Sequence, residues 1–410
     1  MSCHLHVVGA GLAGLSAALR GLEAGFAVTL YEAAGQAGGR CRSYADTALG
    51  VTLDNGNHLL LSGNRETLAY LERIDARDTL TGPDRARFPF RDLATGESWI
   101  LQPGFLMPWS APRRAPGTTA ADYLPWRLLT AGPGAVVADC LPPGTALERV
   151  WRPLLVSALN TPLEQASARL AGRLLRETLL RGESFCRPLV ARDSLGVSFV
   201  DPALRMLERA GATIRFHERL TGLDATGEVI GRLGFGDQYA VLDPDDAVIL
   251  ALPPEPASGL LGLDMQLQHQ PIVNGHFRSP AEALPGGEAF LGLVGGTAEW
   301  LFRREGIIST TTSAAGALSE RPAGEIAALL WGDIARALGL PDGSPLPPYR
   351  IVKEKRATLE QTPAMARFQH GAKTRWRNLA LAGDWTNTGL PCTIESAVRS
   401  GRLAVEAISY

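Results

Sequence analysis

Cysteine is scarce in this chain of 410 residues, and its placement excludes two kinds of site. The five cysteines are odd in number and none stands in a CxxC pair: Cys3, Cys41, Cys140, Cys186 and Cys392. Such scatter argues against a disulfide framework and against a zinc site built on cysteine pairs. It fits a reducing compartment, so we expect a cytoplasmic protein without a metal centre.

The chain also lacks long apolar runs and an excess of positive charge. No uninterrupted apolar stretch reaches membrane-spanning length, and no basic segment precedes a cleavable apolar stretch at the N-terminus. Lysine and arginine total 40 against 42 for aspartate and glutamate, a formal net charge of -2. This balance does not indicate nucleic acid as a partner. It leaves open a peripheral contact with the cytoplasmic face of the inner membrane.

The N-terminal segment carries a dinucleotide-binding pattern. Residues 5–8 and 27–31 are predicted strands, and residues 14–24 form the helix between them. The connecting GAGLAG matches GxGxxG, whose glycines permit a tight turn, a close approach of a diphosphate and close packing of helix on strand. The residues expected to contact the cofactor are Gly9, Gly11, Leu12, Ala13 and Gly14, with Glu32 and Ala33 after the second strand.

The acid at the end of the second strand narrows the choice of cofactor. The carboxylate of Glu32 can accept hydrogen bonds from both ribose hydroxyls, and it would repel a 2′-phosphate. Shortly afterwards come Gly38, Gly39 and Arg40, where a second glycine turn lets the chain run beside a long cofactor with a cation near its phosphates. NAD-dependent dehydrogenases rarely need this second approach, so FAD is favoured.

The C-terminal segment supplies a second cofactor pattern. Residues 379–382 are a predicted buried strand that ends in Gly383 and Asp384, and residues 393–408 are a predicted amphipathic helix. Asp384 can bind a hydroxylated chain such as ribitol. The free N–H groups of Thr393 and Ile394 can stabilise negative charge on a reduced flavin ring.

These segments resemble the superfamily of FAD-dependent amine oxidases and phytoene desaturases, and more narrowly the hydroxysqualene dehydroxylases. The narrower resemblance lies in DNGNHLLLSGN, WRPLLVSALNTP, VKEKRATLEQTP and AGDWTNTGLPCTIESAVRSG, and it spans nearly the whole chain. Cys392 departs from it, since a small residue is expected there. The resemblance implies an α/β fold, with a Rossmann-like FAD-binding domain and a second, discontinuous α+β substrate domain.

The resemblance also divides the chain. Residues 1–75, 190–265 and 350–410 are expected to form the FAD-binding domain, and residues 76–189 and 266–349 the substrate domain. In the middle FAD segment, residues 202–210 are a predicted helix and 213–216 a predicted strand. Leu220 follows in a turn, and the resemblance implies that its backbone contacts adenine.

The polar residues that precede a run of leucines are the candidate catalytic end of the site. The resemblance places Gly56, Asn57 and His58 beside the reactive edge of the flavin, with residues 59–61 lining a cavity for a long isoprenoid. It implies reductive dehydroxylation of hydroxysqualene to squalene, by ionisation of the allylic hydroxyl and hydride transfer from flavin N5. We hypothesise that His58 or Asp54 supplies the proton; purely structural roles are left open for both.

Further candidate residues come from the other resembling segments. Alternation along residues 352–356 turns Lys353 and Lys355 to one face. Related flavoenzymes often hold a lysine near flavin N5, so Lys355 is a candidate, with a solvated strand as the alternative. Asn160 and Arg152 are candidates for binding the substrate hydroxyl on the resemblance alone.

An aromatic group in the substrate domain admits two interpretations. Trp109, Tyr123 and Trp126 can form a rim through which a lipid enters from the bilayer interface, or they can be the core of a small helical domain.

Other functions remain as alternatives. An FAD-dependent desaturase or amine oxidase would run the flavin in the opposite direction on another isoprenoid or an amine. A non-enzymatic FAD-bearing escort is a third reading. Since no second nucleotide motif is evident, the electron donor is left unknown.

Overall fold

The computed structural model describes residues 3–103, 110–263, 265, 267–279, 283–304, 306–367 and 369–408. The strands are β1 His4–Val8, β2 Ala27–Tyr31, β3 Ser43–Asp46, β4 Val51–Asp54, β5 Leu60–Leu61, β6 Leu80–Thr81, β7 Phe88–Asp92, β8 Ser98–Leu101, β9 Pro188–Ala191, β10 Thr213–Arg215, β11 Gly222–Thr226, β12 Val229–Phe235, β13 Gln238–Val241, β14 Ala247–Leu250, β15 His269–Arg278, β16 Phe290–Val294, β17 Trp300–Arg304, β18 Ile307–Thr312, β19 Tyr349–Leu359 and β20 Leu379–Leu381.

The α-helices are α1 Leu12–Glu23, α2 Arg65–Arg73, α3 Trp126–Leu129, α4 Val137–Cys140, α5 Arg152–Leu159, α6 Ala168–Glu177, α7 Asp201–Arg209, α8 Pro254–Leu261, α9 Gly316–Ser319, α10 Ala323–Leu338, α11 Pro363–Arg367 and α12 Ile394–Ile408. The helices and strands expected near residues 5–31, 202–216 and 379–408 agree with these bounds to within about two residues.

A parallel sheet forms the centre of the dinucleotide-binding region. Its strands lie in the order β10-β2-β1-β14-β20, and all its pairs are parallel. Leu5, Val7, Leu30 and Ile249 are fully buried in it, as expected of strands covered on both faces. Helices from both ends of the chain, α1 and α12, pack against this sheet. The predicted α/β fold class is confirmed.

The first and last helices pack unusually closely. A Cβ added at Gly401 in α12 would lie 2.5 Å from the carbonyl oxygen of Ala13 and 2.7 Å from the nitrogen of Ala17. The absent side chain lets the two backbones meet. Glu395, also in α12, accepts a hydrogen bond of 2.9 Å from the N–H of Thr67 at the start of α2. The C-terminal helix is therefore fixed on two sides.

The second large sheet belongs to the substrate domain. Its order is β19-β15-β18-β17-β16-β7-β8, and its pairs are antiparallel except β16 with β7. Leu301 and Val273 pack with Ile326 and Leu330 of α10. Trp300, the neighbour of Leu301, packs instead with the cluster that contains helices α5 and α6. Adjacent residues thus face opposite layers, as the period of a strand requires.

The structure moves one of the expected domain boundaries. We expected residues 350–410 to lie in the FAD-binding domain, but β19 is an edge strand of the substrate sheet. It pairs with β15 from Phe277 opposite Tyr349 to His269 opposite Leu359. The chain therefore returns to the parallel sheet only after residue 359. The sequence pattern does not reveal this, because β19 is held by pairing with a strand that is distant in the sequence.

Gly401→Ala is expected to destabilise the protein by about 1–3 kcal/mol, since the added methyl group must push backbone against backbone. The thermal unfolding midpoint of the FAD-loaded protein measures this. Gly332→Ala in α10 is the matched control, because a Cβ there meets no described atom within 4 Å and alanine favours a helix by up to about 1 kcal/mol. Equal midpoints for the two variants would refute the close helix contact.

Candidate functional site

The loop between β1 and α1 leaves an open space in front of a helix N-terminus. Gly9 has φ +105°, and a Cβ at Gly14 would lie 1.8 Å from the carbonyl oxygen of Gly9, so both positions need glycine. A Cβ at Gly11, by contrast, meets no described atom within 4 Å. Within the described part of the chain the N–H groups of Ala13 and Gly14 have no hydrogen-bond partner. This geometry suits an anionic diphosphate.

Glu32 stands beside the same loop and organises it. Its Oε2 accepts the N–H of Ala10 and its Oε1 accepts the N–H of Ala34, each at 2.8 Å. The main-chain oxygen of Glu32 accepts the N–H of Glu218 at 2.9 Å, which brings the turn that contains Leu220 next to the acid. Ala33 follows Glu32 directly, and Leu220 comes two residues after Glu218. The second lone pair of each carboxylate oxygen remains for ribose hydroxyls.

Arg40 joins three distant segments of the chain. Its Nη2 donates to Oδ1 of Asp384 at 2.7 Å, and its Nη1 donates to the carbonyl oxygen of Ala357 at 2.5 Å. The charge of Asp384 raises the pKa of the Arg40 guanidinium. Gly39, which precedes it, has φ +53°. The glycine turn and the C-terminal strand are therefore held together by an ion pair.

The turn before α12 leaves another helix N-terminus unpaired. Cys392 donates its N–H to Oε1 of Gln361 at 3.2 Å, and Nε2 of Gln361 lies 2.9 Å from its sulfur. The N–H groups of Thr393 and Ile394 have no partner among the described residues. Gly383 is held by its N–H to Oγ of Ser400 at 2.8 Å. We did not identify Gln361 as part of this turn from the sequence.

Taken together, these residues fit an extended dinucleotide cofactor such as FAD. Two helix N-termini present unpaired N–H groups, at Ala13 in α1 and Thr393 at α12, and Gly11 faces open space. A central diphosphate at one N-terminus and the negative charge of a reduced flavin ring at the other would satisfy both. The sequence expectation for the cofactor residues stays a prediction, and the structure brings them to one side of the parallel sheet.

Asp54 is built into a fixed ion pair. It is 1% exposed, and its carboxylate accepts hydrogen bonds from Oγ of Ser43 at 2.5 Å, from the N–H of Leu195 at 3.0 Å and from the guanidinium of Arg304. A carboxylate that accepts three donors, one of them a cation, serves as an anionic anchor. The hypothesis that Asp54 supplies a proton is not supported by these contacts.

His58 lies beside the candidate catalytic end but in a neutral form. Burial lowers its pKa to about 4, against an opposing effect of Asp54. A Cβ at Gly56 would lie 3.8 Å from Nε2 of His58 and 3.6 Å from Nδ2 of Asn274, so both side chains flank this glycine. Because a neutral imidazole is a poor acid at pH 7, His58 can donate or accept a hydrogen bond there, but it is not the protonated acid that we expected.

An amide cluster lies next to His58. Nδ2 of Asn57 contacts Oγ1 of Thr311 at 3.1 Å, and Oγ1 of Thr311 donates to Oδ1 of Asn274 at 2.9 Å. Asn274 is 1% exposed. We did not identify Asn274 or Thr311 from the sequence, although an asparagine directly after the apolar pair Ile272 and Val273 in β15 was an available signal.

Lys355 lies away from the candidate site. Its ammonium contacts Glu320 at 3.1 Å, and the side chain is 63% exposed. Lys353 donates to the carbonyl oxygen of Arg321 in the same loop, so the predicted alternation along this strand is confirmed. Glu354, on the other face, accepts from Nδ2 of Asn55 at 2.9 Å. These contacts agree with the alternative of a solvated strand, because the strand turns the lysines outward, and they do not support a catalytic role of Lys355.

Asn160 and Arg152 also have other partners. Nδ2 of Asn160 donates to the carbonyl oxygen of Gln270 at 2.9 Å, and its Oδ1 accepts the N–H of Ala314 at 2.7 Å. Arg152 pairs with Glu148 at 2.9 Å on the surface. Both side chains hold the substrate domain together, and the expectation that they bind a hydroxyl is not supported.

Glu299 is a buried carboxyl group that we did not identify from the sequence. Desolvation raises its pKa from 4.5 to about 7, although the N–H of Ser313 donates to it at 2.8 Å. Its own N–H donates to the carbonyl oxygen of Thr311 at 3.0 Å, so its main chain is bonded to that of one residue of the amide cluster. At neutral pH this group can hold and release a proton.

The aromatic rim divides between the two interpretations. Tyr123 is 3% exposed, and its hydroxyl accepts the N–H of Ala115 at 2.9 Å, so Tyr123 is a core residue and not part of a rim. Trp126 is 65% exposed and the nearby Leu124 is 51% exposed. Trp109 lies outside the described residues.

Two searches of the described residues were negative. No group of three or more His, Cys, Asp or Glu side chains among them is placed to bind a metal ion. None of the described helices combines the length and the hydropathy that crossing a bilayer requires.

Comparison with known proteins gives consistent matches over the whole chain. Residues 12–409 match the family model of the flavin-containing amine oxidoreductases. A hydroxysqualene dehydroxylase of Sinorhizobium fredii is 45% identical over 413 residues, which is 99% of this chain and 98% of the relative. One from Rhodopseudomonas palustris is 44% identical over 417 residues, covering 100% and 99%.

Solved structures share the fold at low identity. A double mutant of putrescine oxidase matches with a TM-score of 0.69 and 16% identity, covering 100% of both chains. At that identity the similarity concerns the fold alone, and it agrees with a parallel dinucleotide-binding sheet joined to a separate substrate domain.

Glu299→Gln is expected to change how stability depends on pH. The folded pKa of about 7 exceeds the ordinary 4.5, so the folded state retains the proton longer than the unfolded state. The resulting stabilisation is complete below about pH 4.5 and is lost as pH rises through 7, a change of about 3 kcal/mol. Denaturant unfolding at several pH values should show this fall in the natural protein and not in the variant. Glu228→Gln, at an exposed glutamate, is the control; a parallel pH profile for all three proteins would contradict the prediction.

Proposed function

This chain belongs to the flavin-containing amine oxidoreductase family, and from this premise we propose that it removes the allylic hydroxyl of hydroxysqualene to form squalene in bacterial hopanoid biosynthesis. The enzyme is an FAD-dependent oxidoreductase. The observation that carries the proposal is the full-length similarity, at 41–45% identity, to three hydroxysqualene dehydroxylases. The substrate is therefore an isoprenoid.

The reaction requires a proton for the departing hydroxyl and a hydride for the carbon that it leaves. FAD in its reduced form supplies the hydride when it is bound. Its diphosphate would be held at Gly11 and Ala13, its ribose at Glu32 and its ribitol at Asp384. These assignments follow from the unpaired N–H groups and the carboxylates described above.

Water must be kept from the reacting carbon, since a cation in a wet site is recaptured as an alcohol. Leu59 and Leu61 pack against the apolar cluster of the substrate domain, and Leu60 between them belongs to the core of the FAD-binding domain. This leucine run forms an apolar wall directly after His58. The hydrocarbon chain of the substrate would lie along this wall, and its hydroxyl group would lie at His58.

In this proposal Glu299 is the acid that donates a proton to the departing hydroxyl. Its pKa of about 7 lets it carry the proton at neutral pH, whereas the neutral His58 is placed to orient the hydroxyl by a hydrogen bond. Asp54 fixes Arg304 and the β4 strand, and Asn57 lies between His58 and the strand that carries Thr311. The roles of Asp54 and Asn57 follow from their contacts, and that of Glu299 rests on its raised pKa and on its main-chain bond to Thr311.

We also propose that one surface meets anionic lipid, from which such a substrate would enter. This surface, called here the Trp126 face, consists of Leu124, Trp126, Arg127, Arg169, Arg176 and Arg367, all exposed. Helix α6 packs against both α3 and α11, and Arg176 donates to the carbonyl oxygen of Leu129. Exposed apolar side chains ringed by arginines are typical of an interfacial contact.

The reaction itself is tested by an anaerobic assay. Purified protein loaded with FAD and reduced by dithionite is expected to convert hydroxysqualene to squalene, detected by gas chromatography with mass spectrometry, because reduced flavin supplies the two electrons. Glu299→Gln keeps the hydrogen-bonding shape and is expected to slow product formation more than tenfold, as a missing general acid does.

Two outcomes would contradict this proposal. Formation of an oxidised product from an isoprenoid or an amine with oxygen, without squalene under the anaerobic conditions, would identify a desaturase or an amine oxidase. Unchanged squalene formation by Glu299→Gln would remove Glu299 from the mechanism while leaving the reaction in place. Glu228→Gln is again the matched control.

The Trp126 face is tested by flotation with vesicles. Vesicles that contain phosphatidylglycerol are expected to bind the protein more strongly than neutral vesicles, because the arginines favour anionic lipid. Leu124→Ser with Trp126→Ser should reduce binding at least tenfold, since about 0.8 kcal/mol is lost per buried CH₂.

The control replaces two apolar residues of similar exposure on another surface. Tyr239 and Val241 are 56% and 77% exposed, and Tyr239→Ser with Val241→Ser should bind vesicles as the natural protein does. Equal flotation of both double variants would overturn the assignment of this face.

A further inference from the structure

The amide cluster at Asn57 has a defined direction of hydrogen bonding. Its members are Asn57, Asn274 and Thr311, which come from the loop after β4, from β15 and from β18. Asn274 and Thr311 stand opposite each other in the sheet register. Because amide groups can be placed either way round, the direction must come from neighbours that only donate or only accept.

A main-chain carbonyl oxygen determines which way round the side-chain amide of Asn274 lies. Its Nδ2 faces the main-chain carbonyl oxygen of Asn55 at 3.4 Å. A carbonyl oxygen can only accept, so this end of the amide must be the NH₂ group. Oδ1 of Asn274 is then the end that faces Thr311, and the Thr311 hydroxyl donates its only hydrogen to it at 2.9 Å.

Neighbouring acceptors likewise determine which way round the side-chain amide of Asn57 lies. Its Nδ2 lies 3.3 Å from the main-chain carbonyl oxygen of Thr310, 3.1 Å from Oγ1 of Thr311 and 3.4 Å from Oδ1 of Asn274. Because the Thr311 hydroxyl donates its only hydrogen to Asn274, its oxygen is an acceptor toward Asn57. Three acceptors surround one end of the Asn57 amide, so that end is the donor and cannot be reversed.

The other end of the Asn57 amide is consequently a bare acceptor. Its Oδ1 is buried and has no hydrogen-bond partner among the described residues. A buried acceptor left without a donor costs roughly 1–3 kcal/mol, and the chain holds it in place with three contacts. Such a group is available to a ligand that carries a donor.

We propose that Asn57 Oδ1 is a preset hydrogen-bond acceptor for the reacting pair, and that Asn274 and Thr311 are the positioning residues that aim it. The donor is a group that carries a polar hydrogen, and either of two molecules can supply it. One is flavin, through the N–H that it carries only when reduced, and the other is the substrate, through its hydroxyl. The second source rests on the proposed function, and the first does not. In either case the acceptor favours the state from which the reaction starts.

The flavin source is tested by the reduction potential of bound FAD. Asn57→Leu removes the acceptor at similar size, and it should weaken binding of reduced relative to oxidised FAD by about tenfold, the worth of a typical buried hydrogen bond. That is a shift of about 30 mV to more negative potential for a two-electron couple, measured against a reference dye. Thr311→Val should shift the potential in the same direction by a smaller amount, and Thr311→Ser should restore the natural value.

The substrate source is tested by steady-state kinetics on the same variants. If the hydroxyl is the donor, Asn57→Leu should raise KM for hydroxysqualene about tenfold, with the inhibition constant of squalene, which has no hydroxyl, unchanged. The potential then stays at its natural value. A shift in either quantity supports the acceptor and identifies its source.

The matched control lies one residue further along β18. Thr312 points to the other side of the sheet, and its hydroxyl donates to the carbonyl oxygen of Thr297 at 2.8 Å. Thr312→Val should leave the potential and KM unchanged. If Asn57→Leu does not retain FAD, the comparison of Thr311→Val with Thr311→Ser and Thr312→Val decides.

The inference is overturned if the Asn57 and Thr311 variants retain FAD and match Thr312→Val in both potential and KM. Its failure is separable from that of the proposed function. A natural protein that forms no squalene, with variants that still shift the potential, would refute the reaction and leave the acceptor standing.

Discussion

The contact between the first and last helices is the constraint on which the cofactor region depends. At Gly401 the two backbones approach to a distance that no side chain allows. This contact sets α12, and α12 in turn sets the turn at Thr393 and the strand end at Asp384. The ion pair between Arg40 and Asp384 then ties the glycine turn to the same place. Neither half of the candidate FAD site is complete without the other, because each supplies a different helix N-terminus.

The candidate catalytic end is polar, and almost all of its polar groups are fixed by the protein itself. Asp54 is paired with Arg304 and accepts a hydrogen bond from Ser43. Asn274 is hydrogen-bonded to Thr311 and to the main chain of Asn55. Burial of such groups is tolerable because each is paired. The exceptions stand out for that reason: one unpaired oxygen on Asn57, a neutral imidazole at His58 and, at Glu299, a carboxyl group whose pKa desolvation raises to about 7. A reaction that moves a proton and a hydride in a dry site needs few groups, each with one defined state.

The local parts of the structure could be predicted from sequence, and the long-range parts could not. GxGxxG between two apolar runs specifies a strand, a turn and a helix by spacing alone, and α1 begins two residues from the predicted position. Lys355 was placed on the correct face relative to Lys353, yet which face meets solvent depends on β15, a strand some eighty residues away. For Tyr123 and Asp54 two roles were left open for a related reason, since their partners Ala115 and Arg304 are found only by folding. Glu299 and Asn274 gave weak signals, a carboxyl and an amide next to strands of apolar residues.

The division of the cofactor region between both ends of the chain governs the order of its assembly. During synthesis at about 5–20 residues per second, the glycine loop emerges first and waits while the whole substrate domain is made. Helix α12, Ile394–Ile408, is synthesised only after the whole substrate domain. A chain that stops before α12 would therefore lack one of the two helix N-termini of the candidate FAD site, although its substrate domain would be nearly complete.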